Sequence, residues 1–315
     1  PAVITIPPVH TTALGCSLFW AMAGFERYRS DLDRNARWAA TELGADFVRW
    51  WGSVGGDFFG GIDPWANLAT NWRSSAYIGQ VRDTVRHLYE SFGLKSQITL
   101  VAGRAQVDTP EDQAMLVDRI ANAINPVIDY VLYSEIWNEW EVNRAQRHEL
   151  RSMARRLKFL LPRDFPIALS SPSSIMGGAA DRATVRAEIE GMYGGDSGAN
   201  LITLHPTRPE PLWNAETVRA ALVGANLAFP VALAVGEPRG PGASAGGDMD
   251  NPAIIAADYT SAIRGMAIAY VYHSMAGIWG GRCNGFPREN AYANLDDHRN
   301  AAEIAAALKQ IRKFG

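Results

Sequence analysis

The chain has 315 residues, a length that suits one α/β barrel of about 250 residues with loop insertions. With 47% hydrophobic and 20% charged residues it can bury a large core, which excludes wholesale disorder. A formal net charge of -3 argues against the basic face of a nucleic-acid binder, and no apolar run reaches the roughly 18 residues of a membrane-spanning helix.

In chain order, short apolar runs alternate with longer helical patterns. Leu14 to Met22 reads as the first strand and Asp31 to Leu43 as its helix, with Asp31 as N-cap and Gly44 past the C-terminus. Asp46 to Trp51 is the second strand. A Gly- and Trp-rich loop from Gly52 to Trp72 leads to a helix over Ser75 to Phe92, ended by Gly93. Gln97 to Ala102 is the third strand, and Thr109-Pro110-Glu111-Asp112 marks a helix start, with a capping residue before Pro at the first helical position. The fourth strand falls within Val127 to Trp137, with its helix from Val142 to Leu161. Strands five to eight are Pro166 to Ser170, Leu201 to His205, Pro230 to Val235 and Ala267 to His273. Their helices run over Arg182 to Tyr193, Ala215 to Gly224, Pro252 to Gly265 and Arg299 to Lys313.

Strands that alternate with helices pair in parallel and need both sheet faces covered. An open doubly wound sheet and a closed barrel both satisfy that demand. Eight repeats, and no Gly-rich phosphate turn after the first strand, favour the α/β class with a (β/α)8 TIM barrel. No linker or low-complexity stretch interrupts residues 1–315, so they read as a single domain.

In such a barrel, reactive groups gather at the C-terminal ends of the strands. Strand two ends in Arg49-Trp50-Trp51, and strand four in Glu135-Ile136-Trp137-Asn138-Glu139. Strand six ends in His205-Pro206 and strand seven in Gly236-Glu237-Pro238, while Trp279 follows strand eight. Two carboxylic acids, Glu139 and Glu237, are therefore expected at one mouth. Arg49, Trp51, Asn138, His205 and Trp279 surround them as substrate-binding candidates. Glycoside hydrolysis needs that inventory: one carboxyl protonates the leaving oxygen while a second attacks the anomeric carbon or activates water. Their environments must set the two pKa values apart. Asn138 is suited to hold a sugar hydroxyl, and Arg49 and His205 to orient the nucleophile and keep it charged. Trp279 would form a floor under the sugar. Aromatic residues beside Gly, Pro and Asn, such as Trp20, Trp51, Phe58, Phe59, Trp65, Trp72, Trp140 and Trp213, suggest flat surfaces for stacking a ligand.

Trp137-Asn138-Glu139 resembles the strand-four Asn-Glu signature of the large clan of retaining (β/α)8 glycosidases, the cellulase, xylanase and β-glycosidase type. Glu237, at the tail of strand seven, is similar to that clan's nucleophile position. The resemblance implies Glu139 as general acid/base, Glu237 as nucleophile and Asn138 as the hydroxyl-binding partner. Arg49 matches an arginine often found at the end of strand two, and Trp279 a tryptophan after strand eight. It implies a retaining double displacement on a poly- or oligosaccharide, endo-acting if the aromatic loops line a long cleft, with no metal or organic cofactor. The two carboxyls should then lie about 5 to 5.5 Å apart. In one respect the chain departs from the clan: where many members carry a tyrosine near the end of strand six to hold the nucleophile, this sequence has His205-Pro206. The nucleophile's hydrogen-bond partner is thus left open.

Each residue also has a plainer reading. Glu139 could be an N-terminal charge of the helix starting near Val142, and Glu237 a surface-turn acid. Glu135 reads as an inward structural partner, with Arg49 the candidate, rather than as the acid. His205 divides between site and core, and His273 leans to the core. Asp57/Asp63 and Asp248/Asp250 match no EF-hand spacing and read as solvated loop acids. The basic run Arg144 to Lys158 reads as a solvated helix face. Cys16 and Cys283 are expected as two free buried thiols, with a bridge between strands one and eight as the alternative. Pro1 is not a natural start, so compartment is not legible from this end; a polysaccharide hydrolase would favour secretion. The sequence does not specify an oligomeric state. A catalytically silent carbohydrate-binding barrel is the rival function. A metal-dependent hydrolase is a third, weakened by the lack of a His-x-His strand end among six histidines.

Overall fold

The computed structural model describes residues 12–53, 71–103, 107–141, 144–172, 175, 180–206, 213–225, 227, 231–238, 250–274, 276–277, 294–298 and 300–314. Eight strands form the centre: β1 (Ala13–Ser17), β2 (Phe47–Trp51), β3 (Lys95–Val101), β4 (Val131–Trp137), β5 (Ile167–Ser170), β6 (Leu201–Leu204), β7 (Ala232–Val235) and β8 (Ala267–Tyr272). They pair in parallel in chain order, and β8 closes on β1 through Ala13 opposite Ala269 and Cys16 opposite Tyr272. The closed barrel is thus realised, and the open doubly wound sheet is excluded.

Alternation along each strand sorts its side chains into two cores. Phe47, Tyr133, Ala168, Leu201, Ala234, Ala269 and Val271 pack inside the barrel. Two rings, Phe47 and Tyr133 with centroids 6.3 Å apart, fill much of that space, and three alanines accommodate them. A Cβ on Gly15 would stand 2.4 Å from the Phe47 ring, so glycine is required where β1 faces it. The outward-facing residues, among them Val48, Trp50, Ile98, Leu100, Ile136, Leu169 and Leu233, join the helices in the larger core.

The helices are α1 (Ala21–Arg27), α2 (Arg29–Trp38), α3 (Tyr77–Phe92), α4 (Pro110–Ile124), α5 (Arg147–Leu160), α6 (Arg182–Tyr193), α7 (Ala215–Leu222), α8 (Pro252–Arg264) and α9 (Ala301–Phe314). Local chemistry sets several boundaries. The Thr109 hydroxyl accepts from the Asp112 N–H ahead of Pro110, and the Asp181 carboxylate accepts from the Thr184 N–H. Gly44 and Gly93 end their helical segments in the left-handed conformation, with φ of 70° and 71°, as glycine readily does. Among the described residues no helix is long and apolar enough to cross a membrane.

Three expectations need correction. β1 stops at Ser17, and Ala21–Arg27 is helical rather than a continuation of the strand. Leu18 to Ala23 is apolar throughout, and such a run suits a buried helix as well as a strand. Asp31 is not an N-cap, because α2 already starts at Arg29. The helix after β4 begins at Arg147, with Gln146 and Glu149 as a reciprocal capping box. Glu139 therefore lies too far ahead of it to be a helix-terminal charge. Cys16 is a buried free thiol whose pKa burial pushes up. Cys283, Asp57, Asp63 and Asp248 lie outside the described residues.

Candidate active site

Arg49 is an inward side chain of β2, opposite Ser17 on β1 and Gln97 on β3. It is fully enclosed, and its guanidinium reaches across the barrel in two directions. Nη1 donates to Glu237 Oε1 at 2.7 Å; Nη2 donates to Glu135 Oε2 at 2.9 Å and to Asn138 Oδ1 at 2.6 Å. One planar fork thereby ties β2 to the ends of both β4 and β7. Burial alone would lower the Arg49 pKa, but the charges of Glu135 and Glu237 hold it above the ordinary value.

Glu135 lies beneath the mouth and is fully buried. Besides Arg49, it accepts from Thr99 Oγ1 on β3 at 2.7 Å and from Ser170 Oγ on β5 at 2.9 Å. Burial by itself would raise its pKa. The Arg49 charge, together with His205 and Thr99, outweighs that and holds it down to about 2. An enclosed carboxyl that ionises so readily is a poor proton donor, so Glu135 has the structural ion-pair role expected of it.

Glu139 follows the end of β4. The Asn138 N–H still bonds to Val101 O at 2.8 Å, extending the ladder. At Glu139 the backbone then turns into the left-handed region, with φ of 43°. That conformation is uncommon for a residue with a Cβ and costs about 1–2 kcal/mol. The turn sets the side chain at the mouth, 25% exposed, whereas that of Glu237 is 7% exposed.

Gly236 precedes Glu237, and a Cβ there would stand 2.4 Å from Thr203 Cγ2 and 3.2 Å from His205 Nε2. The end of β7 can approach the end of β6 this closely only because residue 236 is glycine. The buried His205 ring faces three carboxylates: Nε2 lies 3.4 Å from Glu135 Oε1, and Nδ1 lies 3.7 Å from Glu139 Oε1 and 3.8 Å from Glu237 Oε2. Burial alone would lower its pKa, but Glu237, Glu135 and Glu139 together raise it to about 9. His205 thus belongs to the site rather than to the core. Glu139, His205 and Glu237 are also the one set among the described residues whose donor atoms could converge on a cation, one atom of each lying within 4.8 Å of the others.

Six of the seven candidates from the sequence lie in described residues, and five, Arg49, Asn138, Glu139, His205 and Glu237, meet in one cluster. Trp51 is buried and stacks on Phe19 with ring centroids 4.1 Å apart, and Phe19 lies under the Arg49 guanidinium at 5.0 Å. Trp51 follows Arg49 by two residues and so shares its face of β2. Trp279 lies outside the described residues. Trp20, Trp72, Trp140 and Trp213, expected as stacking surfaces, are all buried, while Phe58, Phe59 and Trp65 lie outside the described residues. His273 bonds with Ser17 Oγ at 2.7 Å, as a core histidine does. Thr99, Ser170 and Phe19 went unnoticed in the sequence. The signal for the first two is a hydroxyl at an inward strand position among apolar neighbours.

No protein-family description matches this sequence, and no curated protein does. Solved structures match it in shape. A family 5 glycoside hydrolase from Bacteroides vulgatus is similar with a TM-score of 0.61 at 9% identity, over 96% of this chain and 67% of that one. A GH5_18 protein from Streptomyces cattleya, in complex with Manb1-4GlcNAc, has a TM-score of 0.59 at 13% identity, over 96% and 81%. A GH30 endoxylanase from Clostridium papyrosolvens has a TM-score of 0.54 at 10% identity, over 97% and 72%. At these identities the common property is the fold, a (β/α)8 barrel that this chain shares along almost its whole length with glycoside hydrolases.

Proposed function

We propose that the protein is a glycoside hydrolase that cleaves poly- or oligosaccharides by retaining double displacement, with Glu237 as nucleophile and Glu139 as general acid/base. One observation carries this reading: the ends of β4 and β7 bring carboxylate oxygens of Glu139 and Glu237 within 4.8 Å of each other, at a common mouth. Retaining enzymes keep their carboxyls about 5–5.5 Å apart, whereas inverting enzymes need about 6.5–9.5 Å to admit a water.

The surroundings divide the labour. Glu237 is sheltered, with Oε1 held by Arg49, which favours the ionised form a nucleophile needs. Oε2 is then the oxygen that attacks the anomeric carbon, as Glu139 protonates the departing glycosidic oxygen. In the second half, Glu139 takes a proton from water, which attacks the same carbon and releases Glu237. Glu139's partial exposure suits a group that exchanges protons with solvent in every cycle. Arg49 holds Asn138 by its carbonyl oxygen, so Asn138 would meet a sugar hydroxyl through its amide N–H groups. The nucleophile's hydrogen-bond partner, left open by the sequence, is on this reading Arg49, with the His205 ring facing the other oxygen at 3.8 Å.

The shared barrel of the glycoside hydrolases supports the reaction class. The neighbour holding Manb1-4GlcNAc and the neighbouring endoxylanase make β-1,4-linked glycans the first substrates to try, with endo action to be read from product lengths. The test compares the parent with Glu237→Ala and Glu139→Ala on such a panel. Glu237→Ala should lose turnover, and azide should restore it, yielding a glycosyl azide of inverted anomeric configuration. Glu139→Ala should lower kcat about 10²–10⁴-fold on substrates with poor leaving groups. Undiminished turnover in Glu237→Ala would overturn the nucleophile assignment. Binding without turnover, unaffected by either substitution, would instead identify a silent carbohydrate-binding barrel.

A further inference from the structure

We propose that Glu139, His205 and Glu237 also form a reversible site for a zinc-like divalent cation, and that filling it blocks the mouth of the barrel. The blocking of catalysis rests on the hydrolase reading above; the binding of the cation does not.

Three independent features point to the cation. The first is the histidine. His205 is buried, and neither of its ring nitrogens has an aligned hydrogen-bond partner among the described residues. Nδ1 faces Glu139 and Glu237 at 3.7 and 3.8 Å, while Nε2 faces Glu135 at 3.4 Å. A metal-bound histidine characteristically has a carboxylate behind its other nitrogen, which fixes the tautomer and the ring orientation. A cation binds by displacing the Nδ1 proton, which leaves the Nε2 proton toward Glu135 and the Nδ1 lone pair between the two outer carboxylates. Glu135 is itself immobilised by Thr99, Ser170 and Arg49.

The second feature is charge. Three carboxylates surround His205, and Arg49 is the guanidinium that pairs with two of them. Even with the imidazole protonated, these described groups together remain anionic, which favours a cation among them.

The third is reach. Zinc bonds of about 2.0–2.2 Å to nitrogen and oxygen place tetrahedral ligands about 3.3 Å apart. The present separations of 3.7 and 3.8 Å, and up to 4.8 Å for the remaining pair, need only a modest contraction. The partly exposed Glu139 side chain is the one placed to make it. One imidazole and two carboxylates suit zinc, copper or cobalt, whereas magnesium prefers oxygen ligands alone. Once bound, the ion occupies Glu237 Oε2 and the Glu139 carboxylate, so neither can attack or carry a proton, and inhibition is competitive with substrate.

The test is calorimetric titration of the chelator-stripped full chain with Zn2+ and, in parallel, Mg2+, with the visible absorption of bound Co2+ as a second readout. One Zn2+ per chain is expected, with Mg2+ at least tenfold weaker. Glu139→Ala, whose side chain is partly exposed, and His205→Ala should each weaken Zn2+ at least tenfold and alter the Co2+ spectrum. Glu135→Gln, removing the carboxylate behind the ring, should cost about 10–100-fold. The control His87→Ala, in a histidine paired with Asp33 at 2.6 Å outside the barrel mouth, should leave Zn2+ binding intact. Absence of binding at millimolar Zn2+, or equal binding by the parent, Glu139→Ala and His205→Ala, overturns the proposal. Zinc binding that follows these variants in a protein that cleaves no glycan would sink the hydrolase reading and leave the cation site standing. Glu139-dependent turnover with no Zn2+ binding would do the reverse.

Discussion

Glu135 and Glu139 are four residues apart, yet the structure gives them opposite characters. Glu135 is enclosed and bonded to Arg49, Thr99 and Ser170, whereas Glu139 stands one-quarter exposed on a left-handed turn. The turn makes a specific prediction. Glu139→Ala and Glu139→Gly both delete the carboxylate, but only glycine relieves a φ of 43°. Glu139→Gly should therefore be the more stable of the two by about 1 kcal/mol in urea unfolding, although both lose turnover. Arg49 is the other residue on which the site depends. Arg49→Met leaves two buried carboxylates without their cation and should cost about 3–5 kcal/mol, read as a lowered urea midpoint. Because Asn138 and Glu237 lose their common anchor as well, kcat should fall along with stability.

At the scale of elements, the strand ends decide what the site can be. β2, β4 and β7 each deliver a charged residue to the mouth, and β6 delivers His205 just past its last paired residue. β6 and β7 approach closely where Gly236 leaves no room for a side chain beside Thr203. Gly236→Ala should destabilise the chain by about 1–3 kcal/mol through overpacking and lower kcat by displacing Glu237. Adding Thr203→Ser removes the opposing methyl group, so the double variant should recover part of both losses in a thermal melt and a rate assay. Some helix boundaries were legible in the sequence, because Thr109-Pro110, Gly44 and Gly93 act on neighbouring backbone only, whereas the starts of α2 and α5 were not. β1 was misjudged for the opposite reason. Whether Leu18 to Ala23 continues a strand or starts a helix depends on what covers it, and periodicity carries no record of that.

For the whole molecule, barrel closure brings β2 and β7 near enough for one arginine to bond to both sides. It also surrounds His205 with carboxylates from β4 and β7, which raises its pKa from 6.5 to about 9. A group whose folded pKa is raised contributes stability that is fully present below its unfolded value and lost as pH rises through the folded one. In EDTA, the melting temperature should therefore fall between about pH 6.5 and 9. His205→Asn should be less stable than the parent at pH 6.5 and should lack this decline. A decline of equal size in His205→Asn would mean that some other group is responsible.

The sequence by itself determined the alternation of strands and helices, their number, and the polar residues placed at strand ends. These follow from periodicity, capping chemistry and the rule that parallel strands need covered faces, all of which act over a few residues or one repeat. It also identified Arg49, Asn138, Glu139, His205 and Glu237 as a set, because charged groups directly after apolar strands stand out from their neighbours. Only the tertiary structure decided which of those residues pair with one another. The ionised state of Glu135, the charge on His205 and the pairing of Arg49 with Glu237 depend on groups up to 188 positions apart in the chain. The fate of the tryptophans was likewise a tertiary matter: an indole beside a glycine can line a cleft or fill the space beneath a loop. What packs over it decides between the two, and that information is distributed across the whole fold.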